Sequence, residues 1–270
     1  MQKGVKAIKK RFFPNIFTNT RLLGLKGKAW IPAARGGAQS LVPKDPLLSK
    51  KLGLAKKEKI LVIAGYYGDW ARALSESCEV RYTDLGKEMA AFAGRKKAKV
   101  RSFTARPAEL LVRKPMLYDW SFLFEPYPLV AGSLCLVLAR SLLNKKGCKI
   151  LERSNLDPTF YAQVTKVARL YNAKSKFEQI RLTGLVNKSK IECPVAMFTL
   201  STNNEARKKA MLDMGLLREL NLAAKNRKQL QSGQLCKKLG ISQGELEESS
   251  QRLHAITPAQ GAEFQGDYIQ

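Results

Sequence analysis

The residues best placed to do chemistry come early in the chain: Gly65-Tyr66-Tyr67-Gly68-Asp69-Trp70, followed by Asp84 nineteen residues beyond Gly65. A glycine after a strand lets the backbone approach a ligand closely, and the opening turn of a following helix offers unpaired N–H groups. A carboxylate at the end of the next strand can accept both hydroxyls of a ribose. Together they form a nucleoside-site pattern at the carboxyl edge of an open α/β sheet, although a single glycine at such a turn also serves packing. A third segment, Phe124-Glu125-Pro126-Tyr127-Pro128, leaves a later strand on the same edge and is the place to expect substrate contacts.

Composition excludes other chemistries. The single histidine, His254, leaves no set for a histidine-based zinc site or a Ser-His-Asp triad. The five cysteines, Cys78, Cys135, Cys148, Cys193 and Cys236, are scattered without C-x-x-C spacing and read as reduced, mostly buried thiols of a cytoplasmic protein. Pro14, Asn15 and Asn19 break the basic N-terminus before a signal sequence develops, and the apolar stretch 129–139 is too short to span a bilayer. The expectation is therefore a cytoplasmic protein without membrane contact.

The elements that must position these residues alternate from Lys59 onward. Ile60–Ala64 reads as a strand buried on both faces. Trp70–Ser77 has helical spacing, Glu79–Thr83 reads as a strand, Met89–Ala93 begins a helix and Lys99–Phe103 is a third strand. Ala108–Val112 is a short helix, Asp119–Phe124 a fourth strand, Pro128–Leu143 an apolar helix, Lys149–Glu152 a fifth strand and Pro158–Tyr171 a helix. Such repeats predict a mostly parallel sheet with right-handed crossovers. Phe177–Leu185 and Pro194–Ser201, joined by a polar stretch, predict a closing antiparallel pair. The fold class is α/β, a Rossmann-like three-layer sandwich with a small C-terminal helical appendage. The divisions expected are a basic arm at 1–57, the main domain at 58–203, a helical appendage at 204–256 and a polar, frayed tail at 257–270.

Charge is the strongest compositional signal. The 270 residues carry 48 Lys and Arg against 22 Asp and Glu, a net +26. The first 57 residues hold fourteen of these bases against one acid, Asp45, interleaved with Phe12, Phe13, Phe17 and Trp30. Bases with aromatics suit single-stranded nucleic acid, the charges following phosphates and the rings stacking on bases. A solvated extension pinned to the domain by its aromatics has the same composition. Near the C-terminus Leu235, Leu239, Gly240 and a Ser242/Glu245 capping box resemble a helix-turn-helix. Glu245, Glu247 and Glu248 on its second helix would oppose phosphates, which favours a packing or protein-binding module and makes these helices the place for a protein partner.

The order of these parts resembles the class I S-adenosylmethionine-dependent methyltransferases. Leu61-Val62-Ile63-Ala64-Gly65-Tyr66-Tyr67-Gly68-Asp69-Trp70-Ala71 is similar to their first motif. The likeness continues through Val80–Leu85, Tyr118–Phe122, the glycine-led strand from Gly147 and the late antiparallel pair. The resemblance implies S-adenosyl-L-methionine as cofactor, with Gly65 under its methionine part, Asp84 on its ribose, and Tyr66, Gly68, Leu85 and Thr104 as further contacts. Glu125 and Tyr127 resemble the acceptor-binding tetrapeptide of methyltransferases acting on exocyclic amines, which implies catalytic roles for both. A Pro-bounded loop opening the next helix is the competing reading of the same residues. Two positions depart from the family pattern: Ile63 stands where an acid is usual in the first motif, and Arg106 where one is usual in the third. The functional expectation is methyl transfer, with RNA or an RNA-associated acceptor favoured by the charge. The alternatives are a non-catalytic nucleic-acid binder on a degenerate methyltransferase scaffold, and a methyltransferase for small molecules or proteins.

Overall fold

The computed structural model describes residues 42–63, 68–83, 101–102, 118–124, 134–152, 158–186, 189–226, 230–257, 264–265 and 268–269. In chain order these form β1 (Val42–Pro43), α1 (Leu48–Lys51), β2 (Lys59–Ile63), α2 (Asp69–Leu74), β3 (Glu79–Thr83), β4 (Arg101–Ser102) and β5 (Trp120–Phe124). There follow α3 (Leu134–Ser141), β6 (Gly147–Glu152), α4 (Pro158–Tyr171), β7 (Lys174–Val186) and β8 (Ser189–Ser201). The chain ends with α5 (Asn204–Asn226), β9 (Leu230–Gln231), α6 (Ser232–Leu239), α7 (Gln243–Ile256), β10 (Phe264–Gln265) and β11 (Tyr268–Ile269). The helices expected at 89–93 and 108–112 lie outside the described residues.

Eight strands form one sheet in the order β1-β7-β8-β6-β5-β2-β3-β4. Strands β2 to β6 pair in parallel, and β8 runs against both β6 and β7. The unbroken apolar run of β2 follows from this position. Ile60 and Val62 enter the core on one face, Leu61 and Ile63 the core on the other, and all four are buried. The first face is covered by α1 and α2. On the second, α3 lies between the sheet and the helices α4, α5 and α7, which is why all eight of its residues are buried.

The C-terminal helices are continuous with that core, since Leu216, Leu217, Leu235, Leu246, Leu253 and Ile256 share one apolar cluster with α3 and α4. Asp213 of α5 organises the seam. Its buried carboxylate accepts from the Tyr171 hydroxyl at 2.6 Å, the Ser249 hydroxyl at 2.6 Å and the Arg252 guanidinium at 2.9 and 3.1 Å, joining α4, α5 and α7. Burial, with the Asp213 charge second, pushes the Tyr171 phenol well above its ordinary range. The turn between α6 and α7 forms as the sequence predicts, with Gly240 left-handed at φ 65° and Ser242 closing a capping box with Glu245. In the tail, the described residues form β10 and β11, which pair with each other and then with β9.

Residues 42–57, placed with the basic arm by composition, are built into the domain. β1 pairs with Leu185 and Gly184 of β7, and Leu48 and Leu52 are buried in the core. Asp45, the one acid of the first 57 residues, is the clamp. It accepts from the amides of Leu47 and Thr183 and from the Lys51 ammonium at 2.7 Å. Burial would raise its pKa, but Lys51 and the two amides outweigh that and hold it below the ordinary carboxylate value.

Gly147 opens β6 at φ 117°, between β5 and β8, where a Cβ would run into the Leu200 carbonyl. Gly147→Ala is expected to cost about 2 kcal/mol or more of unfolding free energy. Gly233→Ala, in open space on α6, should be neutral or slightly stabilising. Urea denaturation of the two variants checks this, and equal stabilities would contradict the strain at Gly147.

Candidate active site

The sheet order reverses at β2, with β3 and β4 on one side and β5 and β6 on the other. Such a switch point opens a crevice beyond the carboxyl ends of the strands, where ligands of open α/β sheets bind. The registers bring those ends level: Ile63 pairs with Thr83 and with Leu123. Ile63 precedes Gly65 by two residues, Thr83 directly precedes Asp84, and Phe124 directly precedes Glu125. The strands that deliver the candidate residues therefore end side by side. Gly65, Tyr66, Asp84, Leu85, Thr104, Glu125 and Tyr127 themselves lie outside the described residues.

Gly68 is described, and its conformation explains the residue type. At φ 72° and ψ 16° it is left-handed and forms the N-cap of α2, a backbone state that side chains disfavour. Directly after it, Asp69 pairs with Arg72 across the first turn of α2. Trp70 turns inward and stacks on Phe124 with ring centroids 4.2 Å apart and planes at 21°. That stack joins the helix after β2 to the last residue of β5 inside the apolar core. A cleft of about 880 Å³ runs along the outer side of α2, between the β1–α1 segment and α2, from Asp69 and Arg72 at one end to Leu54, Lys56, Glu76 and Ser77 at the other. Its volume falls within the range of small-molecule sites. Glu152, buried at the end of β6, stands on the same sheet edge and is an acid the sequence reading used only as a strand boundary.

The opposite edge of the sheet is structural. Glu58 pairs with Lys146 and accepts from the Ala55 amide, while Asp119 accepts from the Lys59 amide at 2.7 Å. Burial would raise the Asp119 pKa, but that amide and the ammonium groups of Lys145 and Lys146 hold it down. The buried thiols are chemically quiet, burial pushing Cys135 up to about 11 and Cys148 up to about 12. Among the described residues no group of His, Cys, Asp and Glu could hold a metal ion, and no helix is long and apolar enough to cross a membrane.

Neither a family model nor a curated protein matches the chain. Solved structures do. A precorrin-6y C5,15-methyltransferase from Geobacter metallireducens is 13% identical over 57% of this chain and 84% of its own, with a TM-score of 0.43. An S-adenosylmethionine-dependent methyltransferase from Aquifex aeolicus is 14% identical over 66% of this chain and 100% of its own, at 0.42. A putative RNA methyltransferase from Pyrococcus horikoshii is 12% identical over 57% of this chain and 79% of its own, at 0.39. By its strand order and reversed β8 the fold is a Rossmann-like α/β one.

One buried ion was missed from sequence. Lys149, on β6, is only 6% exposed. Its ammonium lies 4.7 Å from the centre of the Trp120 ring and 3.5 Å from the Thr199 hydroxyl, with no carboxylate within ion-pair reach among the described residues. Burial lowers its pKa from the ordinary lysine value. The folded state thus binds this proton less well than the unfolded chain, so the ion destabilises the fold below its depressed pKa and the penalty fades as pH rises towards 10.5. Lys149→Met should therefore raise the melting temperature at pH 7, and its advantage should shrink by pH 10. Melting curves of both proteins across that range check the sign; an advantage that grows with pH would contradict it.

Proposed function

We propose that the chain is an S-adenosylmethionine-dependent methyltransferase whose acceptor is RNA or an RNA-associated molecule. The observation that carries the reading is the switch point at β2, with left-handed Gly68 on one side and the end of β5 on the other. A crevice at such a switch point fits a cofactor carrying a ribose and a methionine. The bound cofactor supplies a methyl group on a sulfonium.

The chain's own residues hold and align the reactants. Asp84, following the buried Thr83, accepts the ribose hydroxyls, and Gly65, Tyr66, Gly68, Leu85 and Thr104 surround the rest of the cofactor. Glu125 accepts from the acceptor amine and Tyr127 stacks on its base. The Trp70–Phe124 stack holds the start of α2 against the end of β5. Transfer in such a site needs alignment above all, and no metal is required.

A second reading rests on Ile63, which is 2% exposed and packed in the apolar cluster where the family pattern has an acid. It is a nucleic-acid-binding protein that keeps the scaffold without turnover. Transfer of labelled methyl from S-adenosylmethionine to single-stranded RNA separates the two. The expected result is label in RNA, lost with Asp84→Ala, and a raised KM for RNA on removal of residues 1–41, which hold nine bases. RNA binding that falls with salt but brings no label would select the second reading, and label confined to protein or small molecules would overturn the RNA assignment.

A further inference from the structure

Among the described residues the exposed large apolar side chains are Leu47, Tyr161, Phe177 and Met211. The two aromatic ones meet at a single point. Tyr161 of α4 and Phe177 of β7 both rest on the buried ring of Phe198, with centroids 6.0 and 5.1 Å from it. They remain 53% and 44% exposed. Phe198 itself is 2% exposed and pinned edge-on by Phe160 at 5.5 Å, so both outer rings lean on a fixed support. Two aromatic surfaces held half in water are not explained by core packing.

The strand pattern extends this pair into a track. Phe177, Gln179 and Arg181 lie on one face of β7, two residues apart, and all three are exposed. The direction is set by register. Phe177 pairs with Phe198, which pairs with Ile150 in the middle of β6, whereas Arg181 pairs with Pro194, beyond the last β6–β8 pair at Glu152 and Ala196. The track therefore runs towards the carboxyl edge that carries the candidate active site. From β7 to β5 is three strand steps, roughly 14 Å. Arg181 supplies positive charge, against Glu192 of β8, which pairs with Thr183 one step farther along the same face.

We propose that Tyr161 and Phe177 form a stacking platform for unpaired bases of a single-stranded RNA, with Gln179 and Arg181 guiding the strand towards the active-site edge. Aromatic faces beside cations on a sheet surface bind single strands by stacking, which tolerates any base because every base has a π-face. Double-stranded RNA keeps its bases stacked inside the helix and has nothing to offer these rings. The inference rests on the reading that RNA is the substrate and names where that substrate lies.

The test is fluorescence anisotropy of the full-length protein with a labelled 20-nucleotide oligo(A), across a salt series. Phe177→Leu and Tyr161→Leu keep an apolar side chain against Phe198 and remove the stacking face, so each is expected to lower affinity about tenfold. They should leave the salt slope unchanged, whereas Arg181→Gln should reduce it by about one phosphate contact. Melting temperatures of the variants establish that they are folded. Salt-dependent binding of the wild type that neither ring substitution weakens would overturn the platform and leave the RNA reading standing. Absence of RNA binding by the wild type would overturn both, and equal ring effects on duplex and single strand would overturn stacking as the mode.

Discussion

The site depends on β2 being a strand buried on both faces and paired in parallel on both sides. That burial fixes its register against β3 and β5, because a slip of one residue would exchange the two apolar faces. With the register fixed, Ile63, Thr83 and Leu123 stand level, and the segments carrying Gly65, Asp84 and Glu125 leave the sheet at one edge. The Trp70–Phe124 stack then ties the helix after β2 to the end of β5. Gly68 permits the sharp entry into that helix that a side chain would resist.

A second constraint lies on the far face. The sheet needs cover there, and α3 supplies it while being covered in turn by α5 and α7. Asp213 links these layers through its four donor contacts from α4 and α7. A buried carboxylate with that many partners is costly to leave half-satisfied, which fixes one docking geometry for the C-terminal helices. The outer side of α7 keeps Glu247 and Glu248 in water.

Much of the fold was legible because burial on two faces leaves a simple mark. β3 and α4 lie where the sequence places them, and β2 and β5 fall within one residue. The hairpin is longer than expected, since polar residues 187–192 looked like a loop. In fact Ile191, Cys193 and Val195 point to the core side while Lys190, Glu192 and Pro194 point away, and β8 starts at Ser189. The clamp at Asp45 was not legible, because its partner amide at Thr183 is 138 residues away. Lys149 left a signal that went unused: a lysine inside Gly147–Glu152, a strand with neighbours on both sides, has to bury its ammonium. Asp213 left a similar one, a lone acid on the face of α5 that carries Ala206, Ala210 and Leu217. The candidate site residues are read from order and spacing alone, and what the structure describes is the level ends of the strands that precede them.

Half of the net charge belongs to the first 57 residues, but the last sixteen of these, residues 42–57, are part of the domain. Nucleoside binding at the switch point is the claim on which the rest stands. Isothermal titration of the purified full-length protein with S-adenosylmethionine tests it most directly. Saturable one-to-one binding in the wild type, weakened at least tenfold by Asp84→Ala and untouched by removal of residues 1–41, is the predicted result. No heat and no thermal shift at millimolar cofactor would contradict it.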